Sequence, residues 1–143
     1  YFVEQNIRIK QISCGRLHSV FVDENGNVYT CGRNQYGQLG IKKSNNNYNK
    51  YQPQQIEWFE QHNVKIQKVE CGAWHCIALD EKGEIYTWGH TMNGALGIDQ
   101  NNRHENGSVP IPLKKYNEEF ESVKCVDIGA GYYHSIVLTE HKK

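Results

Sequence analysis

The sequence predicts an all-β fold in which short antiparallel strands form blades of a β-propeller. Three observations carry this reading. The 143-residue chain repeats with a spacing of 57 residues: Cys14-Gly15-Arg16-Leu17-His18 returns as Cys71-Gly72-Ala73-Trp74-His75. The register then holds from Ile12–Ile41 to Val69–Ile98, where thirteen of thirty positions are identical. Glycine also recurs at fixed offsets, Gly26 with Gly83, Gly32 with Gly89, Gly37 with Gly94 and Gly40 with Gly97. A repeat unit cannot bury its apolar face alone, so such units stack on one another. Short strands recurring at about 60 residues are the pattern of propeller blades.

Each unit reads in the same order. Ile7 to Ile12 alternates apolar and polar residues, as a half-buried strand does, and 65–70 and 123–128 follow suit. A glycine turn leads to a second strand at 18–22, 75–79 and 134–138. Asp23-Glu24-Asn25-Gly26 and Asp80-Glu81-Lys82-Gly83 then make hairpins in which glycine takes a positive φ. The third strand, 28–31 and 85–88, is rich in β-branched and aromatic residues. The segment 32–40 is punctuated by glycine and has no helical period. Lys42 to Gln52 and Asp99 to Ser108 are polar linkers, expected to be mobile surface excursions. Pro53 and Pro110 lead into a possible fourth strand, near 54–59 and 112–116, where proline suits an edge. The alternative for residues 57–61 is a helical turn.

The units fall at approximately 7–63, 64–122 and 123–143. The third begins as Ala130-Gly131-Tyr132-Tyr133-His134 and is truncated after its second strand. That truncation, and a start at Tyr1-Phe2 without methionine, lead to the expectation of an excerpt from a longer polypeptide.

Sixteen basic and sixteen acidic residues cancel. No electrostatic footprint for nucleic acid or an anionic membrane is therefore expected. No apolar run approaches the ~20 residues that span a bilayer as a helix, and no signal peptide is evident. The five cysteines, Cys14, Cys31, Cys71, Cys76 and Cys125, are odd in number and contain no C-x-x-C pair. Reduced thiols and an intracellular setting, nuclear or cytoplasmic, are the expectation.

The ordered string C-G-x-x-H, D-x-x-G-x-[VI]-Y-T-x-G and G-x-L-G-I resembles the repeat of the regulator of chromosome condensation family. Two full copies and the start of a third carry it. Departures are Asn93 where Tyr36 keeps the family's tyrosine, Ala130 in place of cysteine, and Thr139-Glu140 in place of the Asp-Glu pair. The resemblance implies a propeller of about seven blades. The remaining blades would then come from the parent chain or from other chains.

The repeat histidines His18, His75 and His134 and the glycines Gly15, Gly72 and Gly131 are read as structural positions. Histidine at a fixed repeat position is expected to bond the backbone of its turn and lock it. Cys14 and Cys71 beside these histidines offer zinc-type ligand chemistry. No ligand spacing in the sequence supports a metal, however, and both are read as small buried hydrophobes. Gly129-Ala130-Gly131 lacks the Lys-Ser/Thr of a phosphate loop, and Asp23 to Gly26 lacks calcium-loop spacing. No nucleophile elbow or H-E-x-x-H is present. No catalytic residue, cofactor or metal is therefore assigned.

The positions that vary inside the repeat are the candidate partner-binding residues. Arg16, Leu17, Trp74, Tyr132 and Tyr133 stand between the repeat glycine and histidine; Arg33 and His90 begin a second variable set, 33–35 and 90–92. Tryptophan, tyrosine and arginine are the types that dominate protein interfaces. The competing reading is that Trp74 and Tyr133 pack between blades. The function expected is a non-catalytic protein-interaction scaffold. The alternatives implied by the resemblance are guanine-nucleotide exchange on a Ran-class small GTPase, and a regulatory propeller within a larger protein such as a ubiquitin ligase. None of the loops used for exchange by the family's founding member can be matched here.

Overall fold

Alternating apolar residues at the start of each repeat make the first strand of a sheet. In the computed structural model, which describes residues 1–42, 49–98 and 107–140, these are β1 (Ile9–Cys14), β5 (Ile66–Cys71) and β9 (Cys125–Ala130). The second strands are β2 (His18–Asp23), β6 (His75–Asp80) and β10 (Ser135–Thr139). The third are β3 (Val28–Arg33) and β7 (Ile85–Gly89), and the fourth β4 (Asn49–Gln55) and β8 (Ile111–Pro112). They form three antiparallel sheets in the orders β1-β2-β3-β4, β5-β6-β7-β8 and β9-β10. Each of the first two is a four-stranded propeller blade, and the third is the first half of one.

The hairpin aspartates explain the D-x-x-G pattern. The Asp23 carboxylate accepts the backbone N–H of Asn25 at 2.9 Å and of Asn27 at 2.8 Å. Asp80 accepts those of Lys82 and Glu84 at the same two distances. A charged acceptor thereby satisfies two turn amides that no strand partner reaches. Gly26 and Gly83 close these turns at φ 81° and 86°, as their sequence position predicts. The carbonyls of the same glycines accept the amides of Ile66 and Cys125, so each hairpin seats the first strand of the next blade.

The fourth strand departs from expectation in both blades. β4 begins at Asn49, inside the segment read as a polar excursion, and Pro53 sits within it. β4 is an edge strand paired only with β3, so proline removes no ladder bond on its free side. Residues 57–61 form the helical turn α1 (Glu57–Gln61), which buries Phe59 beside Ile56. The segment 112–116, read as strand, is only Ile111–Pro112 before the helical turn α2 (Leu113–Tyr116) begins. Leu113 needs that turn to reach the core with Ile77, Leu79 and Ile85. At the end of the second linker Gly107 and Ser108 are buried and not a surface excursion, because the Gly107 carbonyl accepts the Gly89 N–H at 2.7 Å; residues 43–48 and 99–106 lie outside the described residues.

The core lies between blades. Val20, Val22 and Val28 of the first blade pack with Ile66, Val69, Ala78 and Trp88 of the second. Ile77, Leu79 and Ile85 of the second pack with Cys125 and Ile128 of the third. No described helix is long and apolar enough to cross a membrane.

Candidate functional site

The turn from first to second strand carries the repeat's C-G-x-x-H, and its geometry follows from glycine. A Cβ on Gly15 or Gly72 would run into the ring of His18 or His75, so each histidine packs directly against its own glycine. The same Cβ would stand 2.7 Å from the Gly72 carbonyl or 2.6 Å from that of Gly131. Only glycine allows neighbouring turns to approach this closely. The turns are then stitched together: Arg16 N donates to Ala73 O and Ala73 N to Tyr132 O, both at 3.0 Å. Lower down, the Gln11 amide clamps Val69, accepting its N–H at 2.8 Å and donating to its carbonyl at 2.5 Å.

This stitching brings the variable residues of three blades together. Trp74 is half-buried, and its ring lies 5.9 Å from Tyr132 and 5.8 Å from Tyr133. Tyr36 and His90, from the loops after β3 and β7, stand 5.7 and 5.8 Å from it and 4.3 Å from each other. The Arg16 guanidinium sits over the indole at 5.7 Å and donates to the Tyr132 hydroxyl at 3.3 Å. Such cation–π contacts are worth about 0.5–1 kcal/mol at exposed sites. Burial lowers the His90 imidazole below its usual range, which leaves Arg16 as the cation of the cluster at neutral pH. Tyr132 and Tyr133 remain 50% and 46% exposed. Leu17 and Arg33 are exposed alongside, joined by the bond from Arg33 N to Leu17 O at 2.8 Å. Among the described residues, the ring and cation–π contacts of the indole do not include them.

Of the candidates, Arg16, Trp74, His90, Tyr132 and Tyr133 therefore form one cluster. Tyr36 completes it and was not among the residues singled out. Its signal was present, since it adjoins the variable set 33–35 and is replaced by Asn93 in the next repeat. Trp74 packs against residues of the neighbouring blades while remaining only half-buried.

His18 and His75 do something other than bond their own turns, while His134 is exposed. His18 Nε2 lies 3.2 Å from Cys76 Sγ, and His75 Nε2 lies 3.1 Å from Ser135 Oγ. Each histidine therefore reaches across to the second strand of the next blade. Ser135 gives its proton to the Ala95 carbonyl at 2.8 Å, so it accepts from His75. Cys76 likewise faces the Gln38 carbonyl, the equivalent position, at 3.7 Å. Burial lowers the His75 imidazole to about 4 and keeps it a neutral donor.

The cysteines also differ from expectation. Cys14 is exposed, because no blade covers that side of β1, and Cys71 is half-buried. Cys76 and Cys125 are the buried thiols, and all five are unpaired. Cys71 and Cys76 are directly opposite on β5 and β6, with sulfurs 3.4 Å apart. Hydrogen bonds from Cys76, His18 and Ser13 favour the Cys71 thiolate against the effect of burial, while burial holds Cys76 as a thiol. His18, Cys71 and Cys76 place their donor atoms within 4.8 Å of one another, the group of metal-ligand type among the described residues.

Comparison with known proteins agrees with this architecture. The chain is 42% identical over 134 residues to the ultraviolet-B receptor UVR8 of Arabidopsis thaliana, covering 93% of this chain and 28% of that protein. It is 37% identical to the probable E3 ubiquitin-protein ligase HERC4 of Homo sapiens, covering 94% of this chain and 16% of that one. The crystal structure of Prp20p from Saccharomyces cerevisiae, described with its binding to Gsp1p and histones, superposes with a TM-score of 0.78 at 24% identity. That match covers 96% of this chain and 32% of Prp20p. The chain thus spans less than a third of the proteins it resembles. The model of the regulator of chromosome condensation (RCC1) repeat matches residues 25–79 and 82–138, and a second model of that repeat matches 9–38 and 66–94. With the Gly–His turns, aspartate-capped hairpins and blade order all in place, the chain belongs to the RCC1 repeat family.

Proposed function

We propose that this chain is a non-catalytic protein-interaction scaffold, working inside the cell as part of a larger propeller. The observation that carries this reading is the convergence of Arg16, Tyr36, Trp74, His90, Tyr132 and Tyr133 on one side of a rigid repeat frame. The frame repeats from blade to blade, whereas these residues do not. Aromatic and arginine side chains held at low conformational cost are suited to anchoring a partner. The outer faces of the first and third blades display Ile12, Ile136 and Leu138, which fits further blades of the same polypeptide or of other chains stacking there.

The test is affinity capture through this chain, compared with a Trp74→Ala variant and repeated with excess GTP. Trp74→Ala is expected to weaken capture by about tenfold or more, the scale of a hot-spot truncation. A large fall in melting temperature with unchanged affinity per folded molecule would sink the reading. Capture of a small GTPase that is released by GTP would replace it with nucleotide exchange. That alternative draws its support from the binding of Gsp1p by Prp20p. GTP-insensitive capture of ligase components would assign the chain to the regulatory propeller of a larger protein.

A further inference from the structure

The slot between the repeat histidine and the next blade occurs at both blade interfaces, and its chemistry differs between them. At the second interface it holds His75, Ser135 and, in the position of the first-strand cysteine, Ala130. At the first it holds His18, Cys76 and Cys71. One imidazole and two sulfurs therefore converge where the repeat frame needs only a hydrogen bond. Their separations are 3.2 Å from His18 Nε2 to Cys76 Sγ and 3.4 Å between the sulfurs. Zinc with bonds of about 2.3 Å to sulfur and 2.0 Å to nitrogen would space tetrahedral ligands by roughly 3.5–3.8 Å. Those two separations need to open by only a few tenths of an ångström, and the third pair, His18 Nε2 and Cys71 Sγ, lies within 4.8 Å.

We propose that His18, Cys71 and Cys76 form a zinc(II) site that ties the first blade to the second. The charge balance selects a dication. Two thiolates and a neutral imidazole neutralise zinc, whereas a monovalent soft ion would leave net negative charge beside buried His18 and Cys76. The half-burial of Cys71 offers the ion a way in, and water supplies the fourth ligand. Binding releases the Cys76 thiol proton, and any proton still on Cys71, to solvent. It also shifts the imidazole proton from Nε2 to Nδ1, which is buried without a hydrogen-bond partner. A ligating histidine ordinarily has an acceptor there, so this site is weaker than one with a complete outer shell.

The two interfaces supply variants that the fold already tolerates. Serine stands at the Cys76 position in Ser19 and Ser135, and alanine at the Cys71 position in Ala130. The experiment is titration of the reduced chain with cobalt(II), followed by displacement with zinc(II), in the wild type, Cys76→Ser and Cys71→Ala. The wild type should take up one equivalent with thiolate-to-cobalt absorption in the near ultraviolet, and zinc should bleach it. Both variants should lose that absorption while keeping the wild-type β-sheet circular dichroism. Zinc should raise the melting temperature of the wild type alone. A folded, fully reduced wild type that takes up no stoichiometric zinc would overturn the proposal. So would uptake unchanged in the Cys71→Ala, Cys76→Ser double variant.

Discussion

Leu79 and Leu138 occupy the same place in successive repeats, yet Leu79 is 1% exposed and Leu138 is 60% exposed. Ile77 and Ile136 differ in the same way. On the opposite face, Val69 is fully buried while its counterpart Ile12 is 63% exposed. The first strands β1, β5 and β9 pair alike with the second strands, although β6 also pairs with β7 whereas β10 pairs with β9 alone. The neighbouring blades differ as well: β6 lies between two blades, while β1 and β10 each have a blade on one face only. Burying a leucine or valine is worth about 1.5–3 kcal/mol, and here that gain arises between blades. The apolar pattern of one repeat is thus written for its neighbours.

The largest effect should come from testing this contrast directly. Leu79→Ala should cost about 2–5 kcal/mol of unfolding free energy, whereas Leu138→Ala should stay within about 0.5 kcal/mol, measured by urea denaturation. Equal losses would show that the second face of the third blade is covered. Glycine gives the next contrast. A Cβ on Gly72 meets the His75 ring and the Gly131 carbonyl, while one on Gly129 meets nothing within 4 Å. Gly72→Ala should therefore cost about 1–3 kcal/mol and Gly129→Ala far less. Comparable stability for the two would break the account of close packing between turns.

The smallest effect separates the two histidine slots. His75 has its pKa lowered to about 4 by burial, against an ordinary value of about 6.5 in the unfolded chain. Between those values the unfolded state binds more protons, so the stability contributed by neutral His75 is present above pH 6.5 and lost as pH falls toward 4. Relative to wild type, His75→Gln should show a shallower decline over that window, measured with chelator present. A parallel decline would mean that His75 is not held neutral by its surroundings.

Strand positions and turn chemistry were legible because they depend on local pattern and repeat. Alternation placed β1, β5 and β9 within two residues, and Asp-x-x-Gly marked hairpins whose capping is local. The fourth strand was not legible. β4 and β8 are edge strands whose length depends on β3 and β7, and Leu113 turns helical to reach a core contributed by two blades. The site was readable only in part. Its residues stood out as variable positions in a constant frame, but nothing local shows that Arg16, Trp74 and Tyr132, 116 positions apart end to end, share one surface. Cys76 was equally silent, because its meaning lies in His18 of another blade.

The sequence by itself determined the repeat, the strands, the hairpins and the all-β blade architecture, since each rests on short-range pattern and backbone sterics. Only the tertiary structure decided which cysteines are buried, what the histidines bond and which variable residues meet. Those outcomes depend on blade-to-blade contacts about 58 residues apart in the chain, where packing and desolvation, rather than local propensity, choose the partners.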